Sequence, residues 1–533
     1  MSKLRLNISF AVLFAFMPVI LFAQHGLINT SPRGLINMNR DFDFELEKQI
    51  NQSDSNLHTA IRPYTQSNLR KSGIQPNKHS SDFFLNTIID NSYSKKNGVF
   101  ILPMISASGT AQFESGNELL SDYGAGAYLK GFFGDKITYN AFYRYVGSNT
   151  PSYIDSSLFS QEVIPSVGRV TNSGSSIQNV NHWEGSLLYD ANKYFSFLLG
   201  KGKHFWGDGY RSLLLSDNAA PYPYFRIAST FWNVKYVNLY SWHNDFRTGS
   251  NRNKFTTSHF LSWNITKDIN LGLFETVVWQ GSDTLHNRGF EVTYMNPAIF
   301  YRAPEFAQGS SDNSLIGASV KFKIKKKNIL YSQVIFDEFY LIEMKAGNKW
   351  WANKYGLQFG IKSYDFLGIE NLGVQSEFNL VRPFTYSHLT SLINYGHNNQ
   401  SLVHPVGANF YESSNFIRYK KGNWYFEEQF NYLEYGQDTS ANNYGGDIFN
   451  SYLARDIDAN HPDRDYGHII GQGEKHVVLY NSLKVSYLLL KEINFRAFAQ
   501  FVYRSDSFDK KTQSTALFQV GISSLIWNEY KDY

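Results

Sequence analysis

The chain has 533 residues and a mass of 61.2 kDa, with 50 Lys and Arg residues against 46 Asp and Glu residues and a formal charge of +4. This near-neutral balance excludes a nucleic-acid-binding protein, which needs a clustered basic excess. The absence of cysteine excludes disulfide scaffolds, cysteine-based metal sites, thiol catalysis and lipid attachment through an N-terminal cysteine. Aromatic residues reach 17 % although the hydrophobic fraction is an ordinary 42 %, and the fold must explain both values.

Residues 1–23 are typical of a secretory signal peptide. Lys3 and Arg5 form a positive start, an apolar run follows, and the small residue Ala23 marks the predicted cleavage point. The run is shorter than the ~20 residues of a membrane-spanning helix, and Pro18 interrupts it. We therefore predict export with cleavage near Ala23. Since the mature sequence has no comparable apolar run, insertion into a membrane would require strands.

Segment 24–97 differs from the rest of the chain and is predicted to form an N-terminal periplasmic or plug region. Apolar residues recur there at helical spacing in two runs, Phe42, Leu46 and Ile50, then Leu57 and Ile61. Pro63 ends the second run. We predict one or two short helices and an irregular tether to a first strand at Gly98. The region either caps the periplasmic mouth of a barrel, plugs its lumen, or is a loosely ordered leader.

Strand signals dominate from residue 98 onward. In segment 136–146 apolar and polar side chains alternate with period two, which is typical of a strand with one apolar face. The apolar face consists of Ile137, Tyr139, Ala141, Tyr143 and Tyr145. Short polar turns predict hairpins of 125–133 with 136–146, 182–189 with 194–202, and 258–265 with 269–279, and the last predicted strand is 516–527.

Three features distinguish this pattern from a soluble β-sandwich, which also alternates. The strands are long, short turns alternate with long polar loops, and aromatic residues recur at strand ends. These features indicate an all-β fold, a closed antiparallel transmembrane β-barrel, because closure leaves no unpaired edge in lipid. Residues 98–533, at roughly 24 residues per strand, predict about 18 strands, with 16 to 20 acceptable. The long loops are 147–181, 244–257, 393–414 and 436–475, and the strand-end tryptophans are Trp183, Trp263, Trp279 and Trp527.

No segment makes a case for an enzyme, a metal or a cofactor. The 456–463 stretch begins like a calcium loop with Asp456, Asp458 and Asn460, but the glycine and glutamate that such a loop requires are missing. The neighbouring side chains match no regular metal-ligand spacing: His461, Asp463, Asp465 and His468. We predict no catalytic residues, no metal and no cofactor, and keep an outer-membrane hydrolase only as a second alternative.

The most specific local signal is segment 200–226. Its Trp206-Gly207-x-Gly209 turn, the Ser212 to Leu215 stretch and the run from Asn218 to Pro223 resemble the core motif of the Wzi-like capsule-assembly family. Further segments resemble the Bacteroidota branch of that family, which includes the gliding-motility protein RemB. They are 56–64, 294–306, 309–317, 337–339, 350–360, 377–388 and 404–412.

The resemblance implies an outer-membrane barrel of about 18 strands with N-terminal helices, which attaches or organises surface polysaccharide. It implies outer-membrane lipid or lipopolysaccharide, surface polysaccharide and motility or secretion proteins as partners, and a role in capsule assembly or in gliding. The alternative is a general diffusion porin, since barrels of about 16–18 strands can hold a water-filled lumen.

Sugar rings pack on aromatic faces, and their hydroxyl or acidic groups form hydrogen bonds with Arg, Asn and carboxylate side chains. On this ground the candidate ligand-binding residues are Trp206, Arg211, Asp217, Asn218, Arg302, Glu305, Asp312, Asn313 and Arg382. The alternative is that these residues form a polar network that fills the lumen and that their side chains satisfy one another.

Overall fold

The computed structural model describes residues 35–36, 38–53, 56–71, 97–114, 117–154, 162–171, 177–247, 252–282, 289–300, 312–455, 465–490, 494–524 and 527–533. Within these residues, eighteen antiparallel strands form one closed barrel, in which each strand pairs with its neighbours in sequence and the last pairs with the first. The predicted fold class and strand number are confirmed. The predicted signal peptide lies outside the described residues.

The strands follow one another around the barrel in an up-and-down arrangement. The first nine are β1 (Asn97–Phe113), β2 (Asn117–Phe133), β3 (Ile137–Ser148), β4 (Gln178–Asp190), β5 (Phe195–Gly202), β6 (Tyr222–Phe231), β7 (Val234–Asp245), β8 (Arg252–Asn264) and β9 (Ile269–Gln280). The other nine are β10 (Asn313–Ile324), β11 (Asn328–Phe336), β12 (Tyr355–Tyr364), β13 (Leu372–Val381), β14 (Phe410–Lys421), β15 (Trp424–Gln437), β16 (Glu474–Leu490), β17 (Phe495–Phe508) and β18 (Lys511–Ser523).

Strand β15 shows why the chain is rich in rings but only averagely hydrophobic. Its outward side chains alternate strictly with buried inward ones along most of the strand. The outward aromatic residues are Trp424, Phe426, Phe430 and Tyr432, and the buried inward polar residues are Glu427, Gln429 and Asn431. One face of each such strand suits lipid and the other a polar lumen, so the average composition is similar to that of a soluble protein.

The two ends of the barrel differ in their connections. At one end, here called the short-turn end, two-residue turns such as 232–233 and 422–423 join successive strands. At the other, the long-loop end, segments such as 382–409 and 438–473 connect them. The predicted alternation of short and long connections is observed over most of the barrel, but 114–116 and 509–510 are short connections at the long-loop end. The predicted long loop 244–257 is wrong, because the strands extend to Asp245 and from Arg252.

The described helices are short: α1 (Arg40–Gln52), α2 (Gln66–Lys71) and α3 (Leu341–Ala346). Helix α1 corresponds to the first predicted helical run, and its residues Leu46 and Ile50 are buried. The second predicted helical run is wrong, because Leu57 lies outside any helix and Ile61 is extended and pairs with Trp206. No helix among the described residues has the length and apolar character needed to cross a membrane.

Two of the predicted strand-end tryptophans are not at the lipid-facing surface. Trp183 and Trp263 are 50 % and 44 % exposed on the barrel wall, as an aromatic girdle requires. Trp279 is instead fully buried, with its ring 4.7 Å from that of Tyr294. Trp527 lies beyond the last strand, which ends at Ser523 rather than 527, and its ring stacks on that of Phe142 at 4.8 Å.

Candidate functional site

The centre of the molecule is a loop that folds into the barrel, segment 203–221 between β5 and β6. It meets the N-terminal region, where Ile61–Arg62 pairs with Phe205–Trp206 in a two-stranded sheet. The Gly207 N–H donates to the Ala60 carbonyl at 2.8 Å. Trp206 is fully buried and packs on the ring of Phe260 at 5.4 Å. Apolar burial and backbone pairing therefore hold the loop inside the lumen.

The Trp-Gly-x-Gly turn has a specific steric role. The Glu377 carboxylate of β13 accepts the N–H groups of Tyr210 at 2.7 Å and of Arg211 at 3.0 Å. A Cβ atom at Gly209 would collide with that carboxylate. Glycine is needed there because the backbone must approach an acidic side chain of the barrel wall closely.

Arg211 anchors the tip of this loop through ion pairs. Its Nη2 lies 2.9 Å from Oε1 of Glu412 on β14 and 3.2 Å from Oδ2 of Asp532. Glu412 also contacts Nε2 of His404 at 2.9 Å and accepts from Asn379 at 3.0 Å. Burial lowers the pKa of Arg211, but the Asp532 and Glu412 carboxylates outweigh it and hold that pKa well above its usual value.

The end of the loop is tied to segment 527–533, which returns into the lumen after β18. The Tyr530 hydroxyl donates to Asp217 at 2.7 Å, and Asn528 donates to the other Asp217 oxygen at 3.0 Å. Asn218 donates to the Ser401 carbonyl at 3.0 Å. The N-terminal region, the inward loop 203–221 and segment 527–533 are distant in sequence, but all three lie in the lumen, where the loop contacts both of the others.

The other candidate residues lie under the long loops. The Tyr294 hydroxyl donates to Asp312 at 2.6 Å, and Asn313 donates to the Ile393 carbonyl at 3.0 Å. Arg382 donates to the Trp350 carbonyl at 3.1 Å. Arg302 and Glu305 lie outside the described residues.

The structure thus divides the predicted set between two places. Trp206, Arg211, Asp217 and Asn218 belong to the inward loop, whereas Asp312, Asn313 and Arg382 lie at the bases of loops. Their partners within the chain favour the alternative of a lumen-filling network, in which buried polar groups satisfy one another. Sugar binding by these residues stays a prediction.

A partly exposed aromatic cluster at the long-loop end was missed by the sequence analysis. This loop aromatic cluster consists of Trp351, Tyr452 and Arg455. The Arg455 guanidinium lies 3.7 Å from the centre of the Trp351 ring, and the Tyr452 ring lies 4.7 Å from it. Arg455 also pairs with Asp465 at 2.9 Å. The adjacent tryptophans of segment 350–360 were the only sequence signal, because Tyr452 is about 100 residues away.

Among the described residues, no three His, Asp or Glu side chains converge as a metal site would require. Asp465 pairs with Arg455, and Nδ1 of His468 lies 3.0 Å from the Gln472 amide nitrogen. The other residues of the calcium-loop-like stretch and of the neighbouring His and Asp group lie outside the described residues: Asp456, Asp458, Asn460, His461 and Asp463.

Two buried histidines are expected to make the folding stability of the protein sensitive to acid. Burial and nearby lysines lower the pKa of His58 to about 3, and the same causes lower that of His397 to about 3. Both are neutral when folded but bind a proton near pH 6.5 when unfolded, so stability is complete above about pH 6.5 and falls as the pH drops toward 3. Each should lose about 1.4 kcal/mol of stabilisation at pH 5.5.

Denaturant unfolding of the detergent-solubilised protein at pH 7.5 and 5.5 measures this loss. The double variant His58→Gln, His397→Gln should show a smaller difference between the two pH values than the unmodified chain. Equal pH dependence of the two proteins would contradict the assignment.

Neither a family model nor a curated protein matches the chain. A solved structure does: Wzi of Escherichia coli, an outer-membrane protein involved in group 1 capsule assembly and a carbohydrate-binding β-barrel. It is 13 % identical, with a TM-score of 0.56, and the match covers 92 % of this chain and 99 % of Wzi. OprD of Pseudomonas aeruginosa is 9 % identical, with a TM-score of 0.42 over 80 % of this chain and 94 % of that one. The chain is therefore a closed 18-stranded β-barrel whose fold is similar to that of Wzi.

Proposed function

We propose that the chain is a non-enzymatic outer-membrane protein that attaches or organises surface polysaccharide at its long-loop end. The observation that carries this proposal is a filled lumen beneath a partly exposed cluster of aromatic, basic and acidic side chains. Short turns face the periplasm in barrels of this class, so the long-loop end faces the cell exterior. The carbohydrate binding of Wzi supports the same proposal.

The filled lumen opposes the alternative of a general diffusion porin. The inward loop, the N-terminal region and segment 527–533 are joined by buried hydrogen bonds and ion pairs across the barrel. We infer that residues 24–97 serve as the plug region of a barrel formed by 98–533. Outer-membrane lipid and surface polysaccharide are its proposed partners.

The loop aromatic cluster has the chemistry of a sugar site. Indole and phenol rings are side chains against which the C–H face of a sugar ring can pack. The Arg455 guanidinium lies over one face of the Trp351 ring. The guanidinium of Arg455 and the carboxylate of Asp465 can bind hydroxyl or acidic groups at the edge of the same ring. Neutral and acidic polysaccharides both fit this description.

Removing the indole should weaken polysaccharide binding. Trp351→Ala is expected to lower the affinity of the purified protein for exopolysaccharide from the same cells by about three- to tenfold, the effect of losing one aromatic contact. Binding to immobilised polymer measures the change. Trp424→Ala is the matched control, because Trp424 lies on the lipid-facing wall at the short-turn end. Equal losses in both variants would contradict the proposed site.

A deletion strain tests the cellular role. Loss of retained surface polymer with normal secretion is the expected result. Loss of spreading with intact capsule would instead assign the protein to gliding motility. Normal capsule and normal spreading would refute both roles.

A further inference from the structure

A cavity of about 280 Å³, lined by both polar and apolar side chains, runs along one side of the lumen. It lies between the wall strands β1–β3 and β15–β18 on one side and segment 527–533 on the other. Asn494 and Arg496 line it at the short-turn end, and Asn149 and Tyr153 line it near the long loops. Its volume is close to the lower limit of about 300 Å³ for small-molecule sites.

Charged side chains of both signs line this cavity. The cations are Arg40, Arg144, Lys484, Arg496 and Lys531, and the carboxylates are Asp122, Glu427, Glu529 and Asp532. Most of these carboxylates are engaged by other residues. Glu529 pairs with Arg144 at 3.0 Å, and Asp532 pairs with Arg211 at 3.2 Å. Asp122 accepts a hydrogen bond from Ser148.

Lys484 and Arg496, the two cations nearest the short-turn end, differ from the other cations in their ion pairing. Among the residues that the structure describes, no carboxylate lies within 4.0 Å of the Lys484 amine or of the Arg496 guanidinium. Within the described part of the chain, Arg496 donates only to neutral groups, to Asn494 at 2.8 Å and to the Ser486 hydroxyl at 3.5 Å. Both residues are partly buried. Two partly buried cations that form no close ion pair with a described carboxylate are stabilised when an anion joins them.

The carboxylate on the barrel wall that lies nearest to Lys484 already accepts hydrogen bonds from other residues. Glu427 lies opposite Lys484 in the β15–β16 register. It accepts from Nε of Arg418 at 2.8 Å and from the Tyr425 hydroxyl at 2.9 Å. Among the described residues, Glu427 is therefore shared by Arg418 and Lys484, and cations outnumber carboxylates at this level of the barrel.

Neutral hydrogen-bonding groups surround the two cations. The hydroxyl of Ser482 accepts from Gln500 at 2.7 Å, and both residues lie on the inward faces of β16 and β17 beside Lys484. Hydroxyl and amide groups suit the hydroxyls of a sugar, and a lysine with an arginine suits a compact oxyanion.

We propose that the short-turn end of this cavity binds a small hydroxyl-bearing oxyanion, a carboxylated or a phosphorylated sugar. Lys484 and Arg496 neutralise its charge, and the neighbouring serine and amide groups hold its hydroxyls. The site lies at the end opposite to the loop aromatic cluster and is separate from the proposed polysaccharide surface.

Calorimetric titration of the purified full chain in detergent tests this site with three probes: glucuronate, glucose 1-phosphate and glucose. At least one anionic probe should bind and glucose should not. Binding of only one anion identifies whether carboxylate or phosphate is the preferred group. Lys484→Gln and Arg496→Gln should each lower the affinity about tenfold, the usual effect of losing one charge-assisted contact.

Lys475→Gln is the matched control, because Lys475 lies on the same strand with its side chain 54 % exposed and paired with Glu434. This variant should bind like the unmodified chain. If the cavity variants do not fold, Lys484→Arg, which keeps the charge, and the salt dependence of the unmodified chain are measured instead. Retained binding in the arginine variant and weaker binding at high salt support the proposal. Binding of glucose as strong as that of the anions, no binding of either anion, or full affinity in both glutamine variants would overturn it.

Discussion

Replacing Glu412 by Gln is expected to lower the free energy of unfolding by about 3 kcal/mol, because it leaves the buried Arg211 guanidinium without one of its two carboxylates. Glu412 and Arg211 are both buried, with 2.9 Å between Oε1 and Nη2. Asp532 remains as a partner at 3.2 Å, so the expected loss is at the lower end of what breaking a buried pair costs.

Denaturant unfolding of the protein in lipid vesicles measures this loss. Glu434→Gln is the control, because the Glu434 partner Lys475 is exposed and such pairs contribute only about 0–1 kcal/mol. The control variant should unfold close to the unmodified chain. Similar losses for both variants would mean that the buried network does not stabilise the lumen.

Ending the chain after Ser523 is expected to convert a non-conducting barrel into a conducting one. The last strand ends at Ser523, so its pairing with β1 is retained. The truncation removes the Tyr530 contact to Asp217 and the Asp532 pair with Arg211. The cavity of about 280 Å³ beside this segment would then merge with the volume that the segment occupied.

Single-channel currents in planar bilayers measure the effect. The full chain should give no stable current steps, and the truncated chain should give them. Tyr530→Phe is the control, since it removes one hydroxyl and leaves the segment in place. Large stable currents from the full chain would refute the closed lumen and favour a diffusion porin. A silent truncated chain would show that the inward loop and the N-terminal region close the lumen without segment 527–533.

The sequence by itself determined the barrel. Period-two alternation and short turns are local properties, because neighbouring residues on a strand face opposite sides and a turn depends on a few adjacent residues. The predicted hairpin through Gly134 is observed in the pairing of β2 with β3. Helical spacing likewise located α1.

The incorrect predictions concern contacts between residues that are far apart in the sequence. Trp279 and Trp527 were predicted to face lipid at the membrane interface. A tryptophan at a strand end can equally be buried against other rings, and only tertiary contacts distinguish the two cases. Arg211 pairs with residues 201 and 321 positions away, Glu412 and Asp532, and the pair forms only when three segments meet in the lumen.

The loop aromatic cluster and the cationic end of the cavity also depend on the tertiary structure. Trp351 and Tyr452 belong to different loops, and Lys484 and Arg496 to different strands. Local sequence determines which face of a strand a side chain takes, and hence the barrel. Closure of that barrel decides which inward side chains find a counter-charge and which remain available to a ligand.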